Sequence, residues 1–294
     1  MNKSLQEILD STRSARRAAF DGLMDMPEEH LDKMTRWGYG PADARYLALR
    51  FSDHEEEHAT QIDHLLRSEF GWQPSKVQLV LGIAERTRGD VLAALTGLTD
   101  SDLDVAPRAP AGEWTLRQIL THLVATEHSY RINTLYAVDQ HRKGEPHGAL
   151  PARGDARAYL NMSFAELLVA LDAARSQTIA ELAELPDSQL GATAFWSGFE
   201  LDVNWRLMRF SHHEREHTAH LQKWRVQTGK PQSDIQRLLG LSWQSHGLMR
   251  GYLVGISADM LRRQQANDEW SVETILSHVR RADGFFAKMV HAAE

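Results

Sequence analysis

Apolar residues recur along most of the chain at intervals of three and four, the spacing that gives an amphipathic helix one buried stripe. In "RFSDHEEEHATQIDHL", Phe51, His54, His58, Ile62 and Leu65 share one helical face. In "RFSHHEREHTAHLQKW", Phe210, His213, His217, Leu221 and Trp224 do the same. Helix starts are marked by Ser or Thr followed three residues later by Glu or Gln: Ser4/Glu7, Ser75/Gln78, Thr115/Gln118, Ser163/Glu166 and Ser233/Gln236. In such a capping box each side chain satisfies a backbone N–H that the first turn leaves without a partner. Ser271 marks a further start. No run of period-two alternation is sustained, so the predicted fold is all-α. The two His-bearing helices are expected over about residues 42–70 and 201–228.

The same pattern occurs twice. "RFSDHEEEH" aligns with "RFSHHEREH" at an offset of 213 − 54 = 159, and Arg16 meets Arg175, Pro27 meets Pro186 and Trp37 meets Trp196 at that offset. Further on, "GEWTLRQILTHLVATE" (Gly112 to Glu127) meets "DEWSVETILSHVRRAD" (Asp268 to Asp283), at 278 − 122 = 156. An internal duplication of a four-helix unit follows as the expected organisation.

Composition narrows the chemistry. A formal net charge of -7 leaves no basic excess to neutralise phosphates, which argues against nucleic-acid binding. The absence of cysteine removes disulfides, thiolate ligands and a Cys nucleophile, and fits a cytoplasmic setting. The first residues lack the apolar core of a signal peptide, and the longest apolar runs are too short to span a bilayer, so no membrane partner is expected.

The histidines carry the candidate chemistry. His54/His58 and His213/His217 are four apart on their apolar stripes, so each pair points into a bundle interior, where an unsatisfied imidazole is costly. His122 and His278 add a third position per copy from the Trp-led helix. A lone buried His is more often a hydrogen-bonded core residue. Three positions kept in both copies instead point to a divalent metal, with three imidazoles and an open position for water or substrate. Imidazole suits zinc, nickel, copper or iron. The candidate metals are Zn, Ni, Fe or Mn. Neither a catalytic side chain nor an organic-cofactor site is apparent. Glu127, Asp283, His128 and His220 are candidate outer groups, with ordinary surface polarity as the plainer reading.

His54-Glu55-x-x-His58 and His213-Glu214-x-x-His217 also fit the H-E-x-x-H zinc-peptidase motif, in which the Glu activates water. The longer form needs a Gly to turn the helix back, and position 61 is Gln while position 220 is His. The peptidase reading is therefore remote, and each Glu is expected to be a solvated or outer-sphere carboxylate.

"GEWTLRQILTHLVATE" resembles the second-helix signature of the DinB-like family, and "RFSHHEREHTAHLQKW" resembles its fourth helix. Residues 75–228 follow that family's helix order. Residues 1–70 resemble its helices three and four, and 233–294 its helices one and two, a rotated order. The resemblance implies four-helix bundles with a three-His divalent-metal site: His122 with a His213/His217-type pair, and His278 with a His54/His58-type pair. It also implies a metal-dependent enzyme, possible activities being low-molecular-weight-thiol transfer, isomerisation or hydrolysis of a small-molecule substrate. A non-catalytic metal-binding or scaffolding bundle is the alternative.

Two groupings of the helices are open. In the local one, 1–142 and 158–294 are separate bundles of helix order 3-4-1-2, joined by the Pro/Gly-rich stretch 141–157 as a linker and forming an intramolecular pseudo-dimer, itself monomeric or dimeric. In the other, 75–228 is one bundle and the chain ends form the second. Short connections and the cost of closing a long loop favour the local grouping.

Overall fold

The computed structural model describes residues 3–38, 40–108, 112–148, 150–151, 154–266 and 269–294. Among these residues there are nine α-helices: α1 (Lys3–Asp21), α2 (Ala44–His64), α3 (Lys76–Leu95), α4 (Leu116–Lys143), α5 (Phe164–Leu182), α6 (Val203–Thr228), α7 (Asp234–Tyr252), α8 (Ala258–Arg262) and α9 (Val272–His291). The all-α class holds, with two small additions. Hairpins β1 (Met34–Trp37)/β2 (Gly40–Asp43) and β3 (Thr193–Trp196)/β4 (Phe199–Asp202) precede the two His-bearing helices.

The predicted starts are observed where they can be seen. Thr115, Ser163 and Ser233 each close a capping box with the Gln or Glu three residues on, and Ser271 caps α9. Ser75 accepts from the Gln78 N–H at 3.1 Å while Gln78 returns the bond at 2.9 Å. The side chain of Ser4 lies outside the described residues. Sequence patterning missed the hairpins, and these set the register of the His helices. Each ends on an Asp, Asp43 or Asp202, whose side chain caps α2 or α6. In the second hairpin Trp196 faces Phe199 across a two-residue loop, Ser197–Gly198, with φ of 49° and 88°. Positive φ at both loop residues matches the twist of the flanking strands.

The chain divides into two compact units. One gathers Pro74–Thr87 and Leu98–Lys230; the other gathers the chain up to Gln73, Arg88–Gly97 and Pro231–Glu294. This corrects the local grouping of 1–142 and 158–294. The stretch 141–157 is not a linker between units but an internal segment of the first. It leaves α4 through Gly144 in the left-handed region, and Gly154 then donates to Ser129 Oγ at 2.9 Å. The chain changes units at the two Gly-Pro breaks, after Gln73 and after Lys230, and α3 and the turn after it are divided as well, with Arg88–Gly97 falling in the second unit.

The physical reason lies in the size of the competing terms. Doubling a closed loop costs only about 0.6 kcal/mol. One large apolar side chain buried by correct packing contributes about 1.5–3 kcal/mol. In the first unit the core is built from α4, α5 and α6, with Leu120, Val124, Leu167, Leu171, Leu207, Phe210, Leu221 and Trp224 buried. In the second, α1, α2, α7 and α9 bury Leu9, Phe20, Leu47, Phe51, Ile62, Leu239, Ile275 and Phe286. There Phe20 meets Phe51 edge-on at 5.3 Å. The predicted long helix over 42–70 ends as α-helix at His64 and continues as a π-helical turn, Leu65–Glu69.

Candidate metal centre

In the first unit, α4 supplies His122 and α6 supplies His213 and His217. The Nε2 atoms of His122 and His213 are 2.9 Å apart, and those of His217 and His213 are 3.1 Å apart. In the second unit α9 supplies His278, and α2 supplies His54 and His58. There the spacings are 3.0 Å for His54–His278 and 3.2 Å for His58–His54. All six predicted histidines thus fall into two clusters, each with ring nitrogens within 4.8 Å of one another. No fourth His, Cys, Asp or Glu joins either cluster among the described residues. His122 joins His213 and His217, and not the His54/His58 pair that the local grouping gave it.

The donor geometry fits a metal. A tetrahedral ion with nitrogen ligands at 2.0–2.1 Å sets those nitrogens about 3.3 Å apart. Two of the three nitrogen pairs in each cluster lie near that spacing, and neutral imidazoles cannot all donate to one another there. A neighbour fixes one tautomer: His58 Nδ1 lies 2.8 Å from Gln61 Oε1, so its Nδ1–H donates outward and the Nε2 lone pair faces the cluster. Sequence reasoning gave no role to the Trp that opens each third helix. Trp114 stacks on His217, with ring centres 5.9 Å apart and planes at 18°. Trp270 stacks on His58 at 5.9 Å and 25°. Each covers the outer flank of its cluster.

Burial disfavours the charged form of His54, His122, His213, His217 and His278. It pulls His213 and His217 down to about 3 and His54 to about 4, with neighbouring imidazoles adding to the effect. His122 and His278 are lowered for the same leading reason. In an unfolded chain a His titrates near about 6.5. Below that value the unfolded state therefore binds more protons than the folded one. Stability of the metal-free protein should fall as pH drops from about 6.5 toward 4. Denaturant midpoints in chelator across that range should show the slope, and it should shrink when His213 and His217 are both changed to Asn. A slope unaffected by that change would contradict the assignment.

The carboxylates of the two H-E-x-x-H stretches are turned away from the clusters. Glu55 and Glu214 are fully buried, which corrects the expectation of solvated or outer-sphere groups. Glu214 Oε1 lies 3.1 Å from Arg175 Nη2, and its other oxygen accepts from Thr87 at 2.8 Å. Arg175 also forms a two-pronged pair with Glu127 at 2.8 and 3.0 Å. The second unit repeats the motif. Arg16 Nη1 lies 2.6 Å from Glu55, and its Nε and Nη2 donate to Asp283 at 3.0 and 3.3 Å. Glu127 and Asp283 are therefore buried structural carboxylates, not surface groups. Burial pushes the Asp283 carboxyl up to about 6 against the pull of Arg16. The peptidase reading fails on this geometry, because the residue that would activate water is locked in an ion pair.

The remaining candidates divide. His220 stacks on His217 at 5.7 Å and lies 3.7 Å from Glu113, at the rim of the first cluster. His128 instead sits beside Arg131 and stacks on Tyr159. A cleft of about 440 Å³ opens against His122 and His213, lined also by Tyr130, Asn133, Trp196 and Arg206. In the second unit a cleft of about 480 Å³ lies against His58 and Trp270, with Gln61, His64 and Glu69 in its wall.

A helical bundle with three convergent imidazoles from two of its helices defines a class of metal-site protein. Residues 83–221 match the family model of the DinB superfamily. The match contains His122, His213 and His217. Proteins of this family typically bind a divalent metal. Comparison with curated proteins and with solved structures gave no match. Among the described residues no helix is long and apolar enough to cross a membrane.

Proposed function

We propose that the protein is a divalent-metal-dependent enzyme acting on a small molecule. Its chemistry would be of the thiol-transferase, isomerase or hydrolase kind, with one metal site in each of two duplicated DinB-like units. The ligands are His122, His213 and His217 in one site and His278, His54 and His58 in the other. The observation that carries this reading is the three-nitrogen cradle with no fourth protein ligand among the described residues. That leaves a position for water, thiol or substrate, whereas a purely structural ion is usually closed by a fourth side chain. When bound, the ion would lower the pKa of a coordinated water or thiol, or polarise a substrate oxygen. The chain's own part is to present neutral lone pairs, to hold His58 through Gln61, and to shield one flank of each cluster with Trp114 or Trp270. Zinc, nickel, iron and manganese are the candidate ions; imidazole donors favour the first three over manganese, which prefers oxygen ligands.

Replacing the native ion by cobalt(II) tests the open position. Adding a low-molecular-weight thiol to the cobalt-loaded chain should produce an intense near-ultraviolet thiolate-to-cobalt band. A chain that holds cobalt but gives no such band with any thiol, and whose ligand-field spectrum ignores azide, would favour the scaffolding alternative.

A further inference from the structure

We propose that the cleft beside His122 and His213 binds a small substrate carrying a carboxylate, which docks on the Arg206 guanidinium, and that the second unit has no such subsite. The proposal deepens the metal-enzyme reading and rests on it for the other end of the substrate.

Arg206 lines the cleft and is buried, with 3% of its surface exposed. Its Nη1 donates to the Phe195 carbonyl at 2.5 Å, while its Nε has no hydrogen-bond partner. No carboxylate pairs with it among the described residues. A buried guanidinium without a counter-charge is costly, and burial pulls its pKa down to about 10. Arg16 and Arg175, buried to a similar degree, each hold two carboxylates. Arg206 therefore differs from the arginines that serve the fold. Asn133, also buried in the cleft wall, leaves its Oδ1 without a partner. These groups suit a planar acceptor with a donor beside it. Guanidinium and carboxylate form paired, charge-assisted hydrogen bonds.

Position fits the metal reading. Arg206 precedes His213 by seven residues, two helical turns on the same face, a rise of roughly 10 Å. A substrate could reach the ion at one end and Arg206 at the other if several bonds separate its two polar ends. A cleft of about 440 Å³ is enough for such a molecule.

The second unit supplies an internal contrast. Tyr130 meets His213 edge-on at 5.5 Å, and Phe286 meets His54 edge-on at 5.4 Å. Tyr130 also packs on Phe210 and Trp196, as Phe286 does on Phe51 and Trp37. In the corresponding frame the residue seven before His54 is Leu47, which is fully buried. Guanidinium and phenol are thus replaced by isobutyl and phenyl, which have no anion-binding group.

Calorimetric titration of the cobalt-loaded full chain with ω-mercaptohexanoate and with ω-mercaptohexanol tests this. The probes share the thiol and the chain length and differ in the carboxylate. The acid should bind one site per chain about ten- to a hundred-fold more tightly than the alcohol. Arg206→Leu should abolish that preference with metal content unchanged. Arg206→Gln serves if the Leu variant fails to fold. Equal binding of the two probes to wild type, or a preference that survives in the variant, overturns the subsite. Equal preference at two sites overturns the asymmetry. A chain that takes up no metal sinks the three-His reading separately. Hexanoate then reads the subsite alone, and equal binding by wild type and Arg206→Gln overturns it.

Discussion

Changing Arg175 to Met should lower the unfolding free energy by about 3–5 kcal/mol, the usual cost of removing one partner from a buried ion-pair group. Arg175 is almost wholly buried and joins α5 to Glu127 of α4 and Glu214 of α6, with a further bond to the Ala84 carbonyl at 2.5 Å. Without the guanidinium, two buried carboxylates repel each other in a medium that screens charge poorly. The expected loss is a large part of a typical domain's stability. Denaturant titration would measure it. A partial rescue is expected on combining Arg175→Met with Glu127→Leu and Glu214→Leu, since an apolar triad of similar volume often replaces a buried ionic one without cost. A loss below about 1 kcal/mol, or no rescue, would show that the triad does not hold the three helices together. Arg16→Met should act likewise on the second unit through Glu55 and Asp283.

His217→Ala should release the metal of one site only. Tight protein sites bind zinc with roughly 10–16 kcal/mol shared among four ligands, so one imidazole carries on the order of 2.5–4 kcal/mol. That corresponds to roughly sixty- to seven-hundred-fold in affinity. His217 is buried, and its ring faces His213 and His122 at 4.5 and 4.9 Å, with His220 stacked against it at 5.7 Å. Mass spectrometry of tag-free protein should fall from about two equivalents of metal to about one. The fold should survive, because the apo cluster is already neutral and packed against Trp114. Two equivalents retained at wild-type affinity would remove His217 from the ligand set.

Much of this was legible in the sequence, for reasons that also mark where legibility stopped. Periodicity and capping residues are local signals. They gave α4 from Thr115, α5 from Ser163 and α7 from Ser233, and they put His213 and His217 on one face. A periodic pattern shows which face of a helix is buried but not which helix covers it. The partner of His122 therefore stayed open, and the loop-length argument favoured the wrong unit because loop entropy is weak beside packing. The residues that join each bundle are far apart in the chain: Arg16 and Asp283 are separated by 267 positions. Arg16 and Arg175 were visible as a repeated pair, yet nothing local told a buried guanidinium from a solvated one. The hairpins were lost because four-residue strands such as "TAFW" and "FELD" are too short to show alternation, although the Ser197–Gly198 turn was there to be read. Glu55 and Glu214 misled for a related reason. One residue along a helix is a turn of 100°, and here that turn carries the side chain from the cluster into the arginine pair.

The central claim is that each metal site joins the Trp-led helix of a unit to that unit's own histidine pair. Metal content of two double variants tests it directly. His122→Ala with His213→Ala should strike a single site and leave about one equivalent of divalent metal per chain. His122→Ala with His54→Ala should strike both sites and leave none. The opposite result, with no metal in the first variant and one equivalent in the second, would mean that His122 works with His54 and His58, and would contradict the account.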